Sequence, residues 1–313
     1  MTTSQIALGC MGMSPGVYGA AHDDAQSTKV IHAAIERGIT LLDTGDFYGM
    51  GHNELLVGQA IKGKRDKVQL SVKFGAQRGP DGAFLGFDGR PAAVKTALSY
   101  SLVRLGVDYI DIYRPARLDP NVPIEDTVGA VNDLIKAGFV RQVALSEVGV
   151  ETIRRAAKVA PIHDLQIEYA IISRDPEDEI FPALRELGIS ATMYGVLSRG
   201  LLSGSAIGAK GDSRAHLPRF QGDNKGLVEK LHALAKQWHI RPGQLAIGYV
   251  MGKQPGFYPT LGMRTMAQLD EATAAKPLTA AQIAEVEQVA PRGSVVGTRY
   301  PAVMMKTLDS EKR

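Results

Sequence analysis

A single cysteine, Cys10, in 313 residues excludes an internal disulfide, so the fold must rest on packing and hydrogen bonds, and a reducing compartment is compatible. Charge of neither sign dominates. The 36 Lys and Arg oppose 33 Asp and Glu, for a net charge of +3, and they are scattered in short mixed groups such as 62–67 and 174–179. That balance gives no basic patch for a nucleic acid and no polybasic run for a membrane surface, while a small anionic ligand stays open. Long hydrophobic runs are also missing: no segment reaches the ~18 uncharged apolar residues that a spanning helix needs. Residues 1–21 carry no charged side chain, yet they lack the basic start of a signal peptide and are broken by Gly9, Gly12, Ser14, Pro15, Gly16 and Gly19. The expectation is a cytoplasmic protein with neither a membrane nor a nucleic-acid partner; oligomeric state is not legible.

What is present is alternation. Short apolar runs rich in β-branched residues begin near Ile6, Ile39, Val68, Tyr109, Val140, Asp164, Ile189 and Phe257. Between them apolar residues recur every three or four positions, as in Val94, Leu98, Leu102 and Leu105, in Ile124, Val128, Val131 and Ile135, and in Leu227, Leu231, Leu234 and Trp238. Pro91 and Pro123 suit first helical turns, and Gly38, Gly106, Gly138 and Gly188 suit the residue just past a helix end. Eight strand–helix units without a Gly/Ser-rich linker predict an α/β protein, a single-domain (β/α)8 TIM barrel over residues 1–313. The competing doubly wound dinucleotide fold announces itself by G-x-G-x-x-G after the first strand, a spacing that occurs nowhere here. The stretch Ser203 to Asn224 lacks periodicity and reads as a long loop after the seventh strand.

In such a barrel the reactive groups come from the C-terminal ends of different strands. Asp43 ends the second apolar run, Lys73 ends the third, and Tyr48 follows Asp43 in a glycine-containing loop. A phenol with an ordinary pKa near 10 is a poor acid at neutral pH, and a neighbouring ammonium makes it a better one by stabilising phenolate. Lys73 is expected to do this to Tyr48, with Asp43 keeping the ammonium charged. A Schiff-base aldolase using Lys73 would instead need a lysine in an apolar setting, which Asp43 argues against.

The segment Leu42-Asp43-Thr44-Gly45-Asp46-Phe47-Tyr48-Gly49 with Asn53-Glu54 resembles the aldo-keto reductase signature, and Ser71-Val72-Lys73-Phe74-Gly75 resembles the lysine strand of that family. The likeness continues in order through Asp108–Tyr113, Gly138–Arg141, Leu145–Glu147, Gln166–Tyr169, Leu197–Gly200, and Gly262–Arg264 with Gln268, Leu269 and Glu271. The resemblance implies an NADPH-dependent reduction of a small-molecule carbonyl, aldehyde or ketone, with Tyr48 protonating the oxygen. It implies Ser146 and Gln166 at the nicotinamide carboxamide, and Tyr194 stacked on the ring. Gly195, Leu197, Arg199 and Gly262 would line the cofactor, and Arg264 would grip the adenosine phosphate with Gln268 and Glu271 toward the adenine. A guanidinium grips a 2′-phosphate in two-pronged fashion, hence NADPH rather than NADH. Gly12 and Met13 are expected to bring backbone close to the cofactor, a plain turn being the alternative.

One departure stands out. Where the family has a histidine at the end of the fourth strand, this chain reads Ala116-Arg117-Leu118-Asp119. Side chains two apart on a strand share a face, so Arg114 is expected to point inward with Ala116, where it could supply the lost donor; the favoured alternative is a buried cation paired with Glu168 or Glu147, since an unpaired buried charge is costly. His52 is a second candidate. Ala116 also keeps open a different class, an NADPH-binding sensor or regulatory subunit with weak or no turnover.

Overall fold

Helices ended by glycine feed strands of mostly branched apolar residues, and this order repeats around a closed ring. The computed structural model describes residues 5–18, 22–205 and 212–312. Its strands are β1 (Ala7–Gly9), β2 (Leu41–Gly45), β3 (Gln69–Phe74), β4 (Ala76–Arg78), β5 (Phe84–Phe87), β6 (Ile110–Pro115), β7 (Val140–Ser146), β8 (Ile162–Glu168), β9 (Ser190–Tyr194) and β10 (Tyr258–Gly262). Strands β1, β2, β3, β6, β7, β8, β9 and β10 pair in parallel as neighbours, and β10 returns to β1 to close the barrel. The expected (β/α)8 architecture is the observed one, each strand lying within three residues of its anticipated start.

The outer helices form for local reasons. The helix Asp24–Glu36 is capped by the Asp23 carboxylate, which accepts from the Gln26 backbone N–H at 2.9 Å, a contact worth about 1 kcal/mol. Its Val30, Ile31 and Ala34 are fully buried. The helix Pro91–Leu105 starts on Pro91 and stops at Gly106, whose φ of +64° would strain a side-chain-bearing residue. Pro123 falls one place outside its helix, as the residue before Ile124–Lys136. Cys10 is a buried core residue with its Sγ 3.8 Å from the Leu8 carbonyl, and burial pushes its thiol pKa up.

Two features depart from expectation. Strands β4 and β5 form an antiparallel hairpin directly after β3, closed by the Gly82 N–H donating to the Gly79 carbonyl at 2.9 Å. The glycine-rich stretch around it carries too little alternation to be read as strand. Part of the long loop after β9 forms short helical turns, Ser213–His216 and Pro218–Gln221, while 206–211 lie outside the described residues. Among the described residues no helix is long and apolar enough to cross a membrane.

Candidate active site

The barrel interior is polar, in levels set by strand register. Asp43 pairs with Ser71 across β2 and β3, and Gly45 with Lys73, so Lys73 stands one level nearer the C-terminal mouth. At the lower level the Arg114 guanidinium is fully buried. Its Nη1 lies 3.0 Å from the Asp164 carboxylate and 3.3 Å from Thr192 Oγ1, and its Nη2 donates to Ser71 Oγ at 3.0 Å. Arg114 therefore points inward as the strand period requires. Its partner is Asp164 rather than Glu168 or Glu147, because Asp164 lies at its depth on β8. With these bonds made inside the barrel, Arg114 is the buried, paired cation of the two alternatives, with Asp164 as its carboxylate partner.

Above it, the Lys73 ammonium donates to the Asp43 carboxylate in a buried ion pair. The second carboxylate oxygen accepts from Ser71 Oγ at 3.0 Å and from Gln166 Nε2 at 2.9 Å. Gln166 thus steadies Asp43 with the amide nitrogen expected to face a ligand. Burial lowers the Lys73 pKa, with Asp43 opposing that shift and Arg114 adding to it.

Tyr48 lies over this pair, its ring centroid 5.4 Å from Lys73 Nζ, on a turn where Gly49 and Met50 both adopt left-handed backbone. The phenol is held well above its ordinary pKa, first by burial and then by the Asp43 carboxylate, while the Arg117 guanidinium pulls it down. This revises the sequence expectation. Burial and Asp43 outweigh what Lys73 was expected to do for the phenol, and among the leading influences on Tyr48 the cation is Arg117.

Sequence reasoning passed over Arg117 although it stands beside the missing histidine. Alternation ends with β6 at Pro115, and beyond it the Arg117 side chain turns into the mouth. Its Nη1 donates to the Ala116 carbonyl at 2.6 Å and to Ser146 Oγ at 3.3 Å, and its Nη2 lies 3.4 Å from both the Tyr194 and Tyr300 hydroxyls. Among the described residues it has no carboxylate partner in contact. Burial works against its charge, but the Tyr194 and Tyr300 oxygens and the Glu147 carboxylate outweigh burial, so it stays a cation.

Tyr300 and Arg299 reach the mouth from the C-terminal segment, where no motif announces them. Glu147, in left-handed backbone, accepts from both Arg299 nitrogens at 2.8 Å, from Tyr194 OH at 2.7 Å and from Ser310 Oγ at 2.6 Å. Burial alone would raise its pKa, but Arg299 outweighs burial and holds the carboxyl below the ordinary carboxylate range. Glu147 thereby ties the chain end to β7 and fixes the Tyr194 ring.

The other expected cofactor residues follow the C-terminal ends of β1, β9 and β10. Gly12 lies against Tyr18 and Arg264: an added Cβ there would meet the Tyr18 ring at 3.1 Å and Arg264 Cδ at 3.3 Å. Met13, beside it, is buried core. Gly195 opens the turn after β9, where Leu197 packs against the core and Ser198 and Arg199 are held in left-handed backbone. Among the described residues Ser198 Oγ is buried there without a hydrogen-bond partner. Arg199 lies over the Tyr300 ring at 4.4 Å and 3.7 Å from Glu168. A Cβ on Gly262 would meet little, with only the Gly9 carbonyl near, at 3.9 Å. Arg264 sits before the helix Met266–Thr273, its guanidinium 5.5 Å from the Tyr18 ring centre and its backbone N–H donating to Gln268 Oε1 at 2.7 Å. Glu271 faces Arg241 at 3.8 Å. His52 turns away from the mouth, toward Ser14 and Asp24.

Asp46, between Asp43 and Tyr48 in sequence, carries a carboxyl pushed up to about 7, first by burial and then by Glu54, and among the described residues its Oδ1 has no hydrogen-bond partner. A raised carboxyl pKa means the folded state keeps a proton that the unfolded chain, titrating near 3.8, has lost. Stability from this group therefore falls as pH rises through 7. Between pH 6.5 and 8.5 the loss is on the order of 1 kcal/mol; below 6.5, His163, whose pKa burial lowers, works in the opposite direction. The melting midpoint is expected to drop from pH 6.5 to 8.5, and Asp46→Asn to flatten that slope; an unchanged slope in the variant would assign the effect elsewhere.

Comparison with known proteins agrees with this geometry. The family model described as Aldo/keto reductase family matches residues 5–291. A curated relative from Glycine max, named "Probable aldo-keto reductase 1", is 38% identical over 310 residues, covering 95% of this chain and 88% of its own. Among solved structures, a glycerol dehydrogenase from Gluconobacter oxydans superposes with a TM-score of 0.83 at 26% identity, covering 95% of each chain. An aldo/keto reductase from Klebsiella pneumoniae solved with NADP and acetate shares the fold, with a TM-score of 0.76 at 23% identity over 96% of this chain and 95% of its own. The match along nearly the whole barrel and the identity to the soybean relative make this chain a member of the aldo/keto reductase family, a nicotinamide-dependent oxidoreductase of the carbonyl/alcohol pair.

Proposed function

We propose that the protein is an NADPH-dependent reductase of small aldehydes or ketones in which Tyr48 protonates the carbonyl oxygen and Arg117 takes over the electrostatic work of the absent histidine. The observation that carries this reading is the position of Arg117: a cation without a carboxylate partner among the described residues, hydrogen-bonded around the mouth and lowering the pKa of Tyr48. Transfer of hydride to the carbonyl carbon places negative charge on its oxygen, so a fixed cation beside the proton donor stabilises the transition state more than the ground state.

The residues after β1, β9 and β10 fit the cofactor. Among the described residues Ser198 Oγ is a buried hydroxyl in want of a partner, and Arg264 has no carboxylate in contact and stands beside a helix N-terminus, both suited to phosphate oxygens. Bound NADPH would supply the hydride. Ser146 and Gln166 would orient the carboxamide, Tyr194 would support the ring, and Gly12, Met13, Gly195, Leu197, Arg199 and Gly262 would line the groove. Arg264 would take the 2′-phosphate, with Gln268 and Glu271 toward the adenine. Arg264→Ala is expected to weaken NADPH binding by roughly 10- to 100-fold, the worth of a charge-assisted pair, and to leave NADH binding unchanged. Calorimetric titration with each cofactor checks this, and equal losses for both would remove the assignment.

The overall test follows NADPH oxidation against a panel of aldehydes, ketones and quinones. Turnover supports the reductase. Tight NADPH binding with no turnover on any carbonyl supports a cofactor-binding sensor, the reading favoured by Ala116.

A further inference from the structure

His52, which the reductase site does not use, belongs to a second cluster on the outer side of the tyrosine loop. Its Nε2 lies 3.2 Å from Asp24 Oδ2. From the other side His22 places Nε2 4.0 Å from Asp24 Oδ1. The two imidazoles meet edge to face with centroids 5.2 Å apart, and one ligating atom from each of the three side chains can be chosen so that all lie within 4.8 Å of one another. We propose that His22, Asp24 and His52 form a binding site for a zinc-class divalent cation.

The chemistry of the donors supports this assignment. Two imidazole nitrogens and one carboxylate oxygen are the ligands a borderline-soft ion such as Zn2+ prefers, with solvent completing a tetrahedron. Ligand atoms ~2.1 Å from such an ion stand roughly 3.4 Å apart. The His52–Asp24 edge already has that length, and His22, on an exposed segment, closes the third corner by a side-chain rotation. The ring of His52 is also oriented from behind. Its Nδ1 lies 3.0 Å from Ser14 Oγ, which in turn accepts from Asn53 Nδ2 at 2.8 Å. The serine hydroxyl can accept from Nδ1–H once an ion takes Nε2, so it orients the ring for ligation. Exposure of His22 and Asp24 gives the ion an entry path.

Binding would join segments remote in sequence. His22 and Asp24 open the helix Asp24–Glu36, whereas His52 closes the turn that carries Tyr48. Ser14 packs against that turn so closely that a Cβ on Gly49 would fall 2.8 Å from Ser14 Cβ. The ion therefore pins the tyrosine turn to the first helix from outside the barrel.

The test uses the untagged full chain, stripped with a chelator and titrated with ZnCl2 alone in a calorimeter. The expected result is one saturable site per chain. His22→Gln and Asp24→Asn are each expected to weaken it roughly tenfold or more, and Ser14→Ala, which touches no metal, roughly tenfold. A Zn2+-dependent rise in melting midpoint should be present in the parent and absent in His22→Gln, a surface variant that leaves carbonyl reduction unchanged without metal. Absence of saturable binding overturns the proposal, as does binding of equal affinity in the parent and in a His22→Gln/His52→Gln double variant.

Discussion

Tyr48→Phe is expected to lower turnover by roughly 10²- to 10⁴-fold, the range associated with a positioned general acid, while leaving the NADPH dissociation constant within about twofold. The substitution removes only the hydroxyl. The ring, buried against Phe47 at a centroid separation of 4.8 Å, keeps its packing, so the fold and the cofactor groove have no cause to change. Without the phenol the carbonyl oxygen gains negative charge with no proton to accept, and an interaction made only in the transition state is lost. Steady-state turnover beside calorimetric NADPH binding separates the outcomes. Turnover within tenfold of the parent would show that another group delivers the proton, and loss of NADPH binding would show that the loop had collapsed.

Arg117→Ala is expected to cost roughly 10²- to 10³-fold in kcat, the usual effect of removing one donor aimed at developing charge. Arg117→Lys should recover part of this, since an ammonium keeps the charge and loses the fork that reaches Ser146 on one side and the Tyr194 and Tyr300 hydroxyls on the other. A second readout distinguishes an electrostatic role from a structural one. Arg117 favours the phenolate form of Tyr48, so its removal raises the pKa of that phenol further and moves the alkaline limb of the kcat profile to higher pH. A merely structural arginine would lower kcat without moving the limb. If Arg117→Ala turns over like the parent, the missing histidine has been replaced by something else.

The difference between Arg114 and Arg117 illustrates where sequence reading stops. Arg114 lies on a strand, where alternation settles the face but not the depth. It points inward as expected, and finds Asp164 because β6 and β8 bring the two side chains to one level. Arg117 lies past the strand end, where no period applies and the side chain goes to whatever oxygens the surrounding loops present. Tyr300 and Glu147 follow the same logic. A tyrosine in the C-terminal segment joins the site only because Arg299 is locked onto Glu147, 152 residues away. Asp43 and Lys73, in contrast, were legible because each falls at the end of an apolar run, on adjacent parallel strands.

The order of strands and helices, the closure of eight units into a barrel and the inward placement of Asp43, Lys73 and Arg114 were determined by the sequence itself. Each depends on a period of two or three to four residues, and a period is a local property of the chain. Which charges govern Tyr48 was decided by the tertiary structure alone. The field at a buried phenol depends on distance through the fold: Lys73 is paired with Asp43, whose carboxylate raises the Tyr48 pKa, while Arg117, with no carboxylate in contact among the described residues, lowers it.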